Sequence, residues 1–142
     1  MVLIVGGRCQ GKLSFARELI RREEIRLVSA VTVGETGETE EAAGANRTPD
    51  LEQAFSAGLI CHLERDVRVC MEEKKDAMEW AERLIKENPQ AVVIADEIGC
   101  GIVPVDAFER EYRETAGRVC QRLAAESEAV YRVVCGIGNR IK

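Results

Sequence analysis

Histidine is nearly absent from this chain of 142 residues: there is one, His62. The six cysteines, Cys9, Cys61, Cys70, Cys100, Cys120 and Cys135, form no CxxC pair. A structural zinc site draws four ligands from closely grouped Cys and His, so both facts argue against one. Nor do the cysteines outline a disulfide framework. All but Cys9 and Cys100, which lie in glycine-rich loops, sit among apolar neighbours as small core hydrophobes, and the thiols are expected to be reduced, as in a cytoplasmic protein. Basic excess is also missing, since 20 Lys and Arg face 25 Asp and Glu for a net charge of -5. General nucleic-acid binding needs a basic footprint and is not expected. No apolar run approaches the length of a membrane span, and no basic-then-apolar leader opens the chain.

What is present is informative from the first residue. The apolar run Val2-Leu3-Ile4-Val5 leads into Gly6-Gly7-Arg8-Cys9-Gln10-Gly11-Lys12, and a helical pattern follows with Leu13, Ala16, Leu19 and Ile20 on one stripe. Strand, glycine loop, Lys and helix is the layout of a phosphate-binding P-loop. Glycines let backbone N–H groups turn inward around an anion, and the helix aims its positive end at it. Residues 6–14 are therefore the candidate nucleotide site, with Lys12 reaching the terminal phosphates. The motif departs from its pattern at Leu13, where a Ser or Thr hydroxyl ordinarily ligates Mg²⁺. Ser14 lies about 100° further round the helix and points elsewhere.

The rest of the chain alternates strand and helix signals. Strands are expected at 26–33, 58–61, 91–95 and 130–135, with helices at 11–23, 63–87 and 107–126. Residues 34–47 are acidic and glycine-bearing and are expected to be a mobile surface loop. Thr48-Pro49 has the form of an N-cap followed by a first-turn proline, opening a short helix through Ala57. Asp106 and Glu109 suit a capping box for the helix at 107–126. This alternation implies one α/β domain, 1–142, with a doubly wound, mainly parallel sheet and helices on both faces. Loops 6–11, 96–104 and 136–139 all follow strands, so all three are expected at the carboxyl edge, where such sheets bind ligands.

The last third carries a distinctive pattern. Asp96-Glu97-Ile98-Gly99-Cys100-Gly101-Ile102-Val103-Pro104 follows an apolar strand, and Tyr112-Arg113-Glu114 and Gly117-Arg118-Val119-Cys120-Gln121-Arg122-Leu123-Ala124 lie on the helix after it. With the Gly-Gly loop at the start and the Ile-Lys end, this resembles the bifunctional adenosylcobinamide kinase / adenosylcobinamide-phosphate guanylyltransferase family of cobalamin assembly. The resemblance covers residues 1–30 and 91–142. It implies a P-loop NTPase-like fold, Mg²⁺ with ATP or GTP as phosphate donor, a corrinoid substrate, and a homo-oligomer. Gly99 and Gly101 allow close backbone approach to a substrate or simply a tight turn, and Arg118 and Gln121, on the less apolar sides of the helix, are candidate substrate contacts.

Two positions depart from that family's pattern: Asp96 and Cys120 stand where it has Asn. Its guanylylated His belongs after the second strand, and residues 34–50 contain none. The activity expected is therefore phosphoryl transfer to adenosylcobinamide, with guanylyl transfer lacking its usual acceptor. A non-catalytic nucleotide- or corrinoid-binding member is the alternative. His62 is either a helix-start residue or a substitute nucleophile. Lys12 and Glu97 are the candidate catalytic residues and Asp96 the candidate metal ligand. Glu97 holds a metal, takes a proton from a substrate hydroxyl, or closes a turn on backbone N–H groups. Arg113 is expected on a solvated face.

Overall fold

The two apolar runs of the sequence lie side by side at the centre of a parallel sheet. In the computed structural model, which describes residues 1–27, 29–34 and 50–142, strand β1 (Val2–Gly6) pairs with β4 (Val92–Asp96) from Val2↔Val92 to Gly6↔Asp96. Strand β5 (Ala129–Val134) pairs in parallel on the other side of β1. The full order is β2-β3-β4-β1-β5-β6, with β2 at Thr32–Val33, β3 at Leu59–Ile60 and β6 at Ile137–Arg140. Every pairing is parallel except β5 with β6.

Alternation along the central strands divides the core in two. Val2 and Ile4, with Val92 and Ile94, pack against Ala16 and Leu19 of helix α1 (Lys12–Arg21). Leu3, Val93 and Ala95 face the other way, onto α2 (Leu63–Glu72), α3 (Ala77–Glu87) and α4 (Ala107–Glu126). Both sheet faces are thus covered, which is why these strands read as unbroken apolar runs. The doubly wound α/β fold expected from the sequence is the fold observed.

The chain leaves β1 towards α1 on one face and leaves β4 towards α4 on the other. Neighbouring strands whose connections diverge to opposite faces open a crevice at their carboxyl ends. This is the switch point of the sheet, and it places the 6–12 loop beside Asp96.

Several expectations from sequence need correction. The stretch 63–87 is two helices, because Lys74 adopts a left-handed φ of 57° and Asp76 caps a new helix by accepting from the N–H groups of Met78 and Glu79. The buried stripe continues across the break, so periodicity alone did not reveal it. The strand expected at 26–33 is only Thr32–Val33 among the described residues. Residues 137–140 are not a loop but strand β6. Cys135 and Gly136, with φ of 51° and 77°, form the two-residue turn between β5 and β6, and positive φ at both central positions matches the twist of paired strands. Cys135 is accordingly exposed on a turn rather than buried. The helix expected to end at Ala57 is a 3-10 turn at Gln53–Ser56. The expectations for 35–49 lie outside the described residues. The cap at Asp106 forms, since its carboxylate accepts from Glu109 N–H at 3.0 Å. Glu109 completes no box and instead grips Arg68 of α2 at 2.6 and 2.7 Å.

Candidate active site

The glycine loop is shaped by its neighbours as much as by any ligand. A Cβ on Gly6 would run into the carbonyl oxygen of Val133 on β5. Gly11 sits at φ 80° as the N-cap of α1, and a Cβ there would lie 3.2 Å from Gly136 Cα. The β5–β6 turn holds the loop in place: Gly136 N–H donates to the Gln10 carbonyl at 2.9 Å and Cys135 N–H to Gln10 Oε1 at 2.6 Å. Gly7, Arg8 and Cys9 complete the loop, with Arg8 and Cys9 exposed and Cys9 at φ 59°. This seam between loop and hairpin was not visible in the sequence, where 136–139 looked like a separate loop.

Lys12 is the first residue of α1 and is buried, at 7% exposure. Its ammonium folds back over the loop, donating to the Gly7 carbonyl at 2.7 Å and lying 2.5 Å from Asp96 Oδ1. A phosphate entering the loop meets this cation directly. Leu13 packs against the α1-side core, and Ser14 is exposed. The loop therefore offers a divalent cation no hydroxyl. Carboxylate oxygens from the neighbouring strand ends are the donors that fit one.

The Glu64 carboxylate links His62 to the backbone of Asp96. Glu64 Oε2 accepts from Asp96 N–H at 3.0 Å, and Glu64 Oε1 is 3.0 Å from His62 Nδ1. His62 is the N-cap of α2 in a left-handed conformation, at φ 63°, just past β3. Burial opposes charge on Glu64, but its hydrogen bonds to His62 and Asp96 N–H outweigh that and hold its pKa below the ordinary value. His62 is a helix-start residue, one of the two expectations from the sequence. It shares one edge of the sheet with Asp96 and Lys12, a grouping hidden in sequence because its members come from three separate strand ends.

Glu97 follows Asp96 and its N–H donates to the Gly6 carbonyl at 2.9 Å. Its carboxylate pairs with Arg132 of β5, at 3.1 Å from Nε and 3.2 Å from Nη2. It therefore closes no turn with its side chain.

A cleft of about 360 Å³ opens beside Asp96 on the α4 side of the sheet, with buried Leu3, Ala116 and Val130 in its wall. Gly99 and Gln121 line it; Gly101 and Arg118 are not among its lining residues. Arg118 pairs instead with Glu114 one helical turn away, at 2.5 Å. Cys120 lines the cleft with a thiol that burial pushes up to about 11, which makes it an inert wall rather than a nucleophile. Arg113 is not on a solvated face. Its guanidinium donates to the carbonyls of Ile102 at 2.8 Å, Gly99 at 2.5 Å and Gly101 at 3.3 Å, pinning the 99–102 loop at the cleft mouth. A Cβ on Gly99 or Gly101 would meet nothing within 4 Å, so neither glycine is required by tight packing.

The edge therefore holds a glycine loop with a buried cation, next to an apolar cleft that Asp96 and Glu97 help to line. No helix among the described residues is long and apolar enough to cross a membrane. The chain is similar to the bifunctional adenosylcobalamin biosynthesis protein CobU of Salmonella typhimurium strain LT2, 49% identical over 53 residues, which are 37% of this chain and 29% of that protein. It is similar to the protein of the same name from Escherichia coli strain K12, 47% identical over 53 residues, again 29% of that protein. The matched segment thus spans under a third of either relative. The family model for cobinamide kinase / cobinamide phosphate guanyltransferase matches residues 53–141, and the chain belongs to that family.

Proposed function

We propose that this protein, acting as one nucleotide-binding domain over 1–142, transfers the γ-phosphoryl group of ATP or GTP to the hydroxyl of adenosylcobinamide in cobalamin assembly. The observation that carries the reading is the position of Lys12. Its ammonium is buried over the glycine loop, on the Gly7 carbonyl, and pairs with Asp96, whose side of the sheet edge lines the 360 Å³ cleft. Donor phosphates and an acceptor with an apolar body would meet there. Family membership and the similarity to two bifunctional CobU proteins support the corrinoid as acceptor.

Phosphoryl transfer needs placement and charge neutralisation more than covalent help. Backbone N–H groups of residues 6–11 would receive the β-phosphate, and Lys12 would leave Asp96 to bridge the β- and γ-phosphates. Mg²⁺, held by Asp96 directly or through water, would neutralise charge on the phosphates. The acceptor hydroxyl oxygen bonds to the γ-phosphorus as the bond from that phosphorus to the β–γ bridging oxygen breaks. The nucleoside diphosphate leaves on Lys12. Glu97 would take the hydroxyl proton after releasing Arg132. Gly99 and Gln121 would contact the acceptor. Gly101 would act only through the loop that Arg113 pins, and Arg118 only after leaving Glu114. The working form would be a cytoplasmic homo-oligomer.

A product assay tests this. Protein, Mg²⁺, adenosylcobinamide and γ-labelled ATP or GTP should give labelled corrinoid phosphate, and Lys12→Ala should give none. One observation favours a second reading. Leu13 is committed to the core, so a member that binds nucleotide or corrinoid without turnover would show binding and no labelled product.

A further inference from the structure

Carboxylates beside a phosphate cradle are a problem in electrostatics. Asp96 and Glu64 would repel an incoming triphosphate, and Lys12 is the only cation paired with Asp96 among the described residues. A cation between carboxylates and phosphates removes that repulsion. A ring nitrogen of His62 and one oxygen each of Glu64 and Asp96 all lie within 4.8 Å of one another. Three ligands that share one such ion stand about 3–3.6 Å from one another, so the three need to draw together by about 1–2 Å, a distance that side-chain rotation covers. A second observation lies on the same turn of α2. Asp66, 3% exposed and close enough to Glu64 for their charges to repel, has an Oδ2 with no hydrogen-bond partner among the described residues. A buried carboxyl oxygen left without a partner beside Glu64 is where a bound cation would supply one.

We propose that His62, Glu64 and Asp96 form a binding site for a divalent transition-metal ion at the carboxyl ends of β3 and β4. An imidazole beside two carboxylates selects Mn²⁺, Co²⁺ or Zn²⁺ over Mg²⁺, whose preferred ligands are oxygens. Lys12 competes with the metal for Asp96 Oδ1 and yields when phosphate draws its ammonium into the loop. The site takes over the role of the hydroxyl that Leu13 lacks. It rests on the reading of the loop as a phosphate cradle for its purpose, but metal binding itself is measured without nucleotide.

The test uses the full chain, stripped with chelator and titrated with Mn²⁺ while free Mn²⁺ is followed by its paramagnetic resonance signal. One Mn²⁺ per chain is expected. His62→Asn, chosen because Asn tolerates the left-handed backbone, and Glu64→Gln should each weaken binding at least tenfold. Lys12→Met should tighten it several-fold. Co²⁺ should give a visible absorption spectrum that changes in His62→Asn, with circular dichroism confirming that both variants are folded. No bound Mn²⁺ or Co²⁺ on folded wild-type protein would overturn the proposal, as would equal binding by His62→Asn. Labelled product with Mg²⁺ in the absence of Mn²⁺ binding would sink the metal site and leave the kinase reading standing. Mn²⁺ binding without product would do the reverse.

Discussion

Lys12 and Asp96 form an ion pair at 2.5 Å, with side chains only 7% and 13% exposed, at the end of the Gly6↔Asp96 register between β1 and β4. Two opposite charges thereby compensate each other at the switch point of the sheet. Breaking such a pair from one side leaves an uncompensated buried charge, which costs about 3–5 kcal/mol. We expect Lys12→Met to lower stability by a figure towards the lower end of that range, because the crevice admits water. Adding Asp96→Asn should restore most of the loss. Denaturant melts of the two variants check this; equal melts for the single and double variants would show that the pair is not coupled.

Gly6 and Gly99 make a contrast within the same edge. The Cβ of an alanine at position 6 would collide with the Val133 carbonyl, which is backbone and moves only with β5. Gly6→Ala should cost about 2 kcal/mol or more and disturb the loop. A Cβ at position 99 meets nothing within 4 Å, so Gly99→Ala should stay within about 0.5 kcal/mol of wild type. Any loss of corrinoid binding in Gly99→Ala would then report contact with ligand. Thermal melts paired with binding separate the two effects.

Asp66 gives the fold a pH dependence of defined sign. Burial, then repulsion from Glu64, pushes its carboxyl from 3.8 up to about 8. Between these values the folded protein keeps a proton that the unfolded chain has released. Stability should therefore fall as pH rises from about 4 to 8, by up to about 1.4 kcal/mol per pH unit, and level off above that. Asp66→Asn removes the titration. Its melting temperature relative to wild type should climb between pH 5 and pH 8, measured with chelator present so that no metal at Glu64 contributes. Parallel pH profiles for the two proteins would contradict this.

Arg113 is the latch of the 99–102 loop, through donations to three carbonyls. Lysine cannot reproduce the guanidinium fork. Arg113→Lys should leave the global melt within about 1 kcal/mol of wild type while speeding protease cleavage in the loop several-fold. Unchanged cleavage would mean that other contacts hold it.

The local signals in this sequence were strong where one element decided the outcome. The helix at 107–126 matches α4 because Asp106 caps it and Tyr112, Ala116, Val119 and Leu123 keep one buried stripe. The loop 6–11 was legible because glycine, lysine and a preceding strand are contiguous. What escaped was tertiary. The break at Lys74 leaves the apolar stripe in register, so the pattern does not register it. The hairpin at Cys135-Gly136 shows itself in two positive φ angles, and its only sequence signal was a glycine in the second turn position. His62, Glu64 and Asp96 meet because β3 and β4 are neighbours, a fact of strand order and not of spacing. Arg113 looked solvated because acids surround it in sequence, whereas its partners are carbonyls 11–14 residues away.

The role of the glycine loop is tested most directly by calorimetric titration of the full chain with ATP or GTP, the matching nucleoside, and Lys12→Met as comparison. If Lys12 and the 6–11 loop hold the phosphates, the triphosphate should bind at least 100-fold more tightly than the nucleoside, and Lys12→Met should lose most of that difference. Equal affinity for triphosphate and nucleoside, or full triphosphate affinity in folded Lys12→Met, would show that this edge does not hold phosphate.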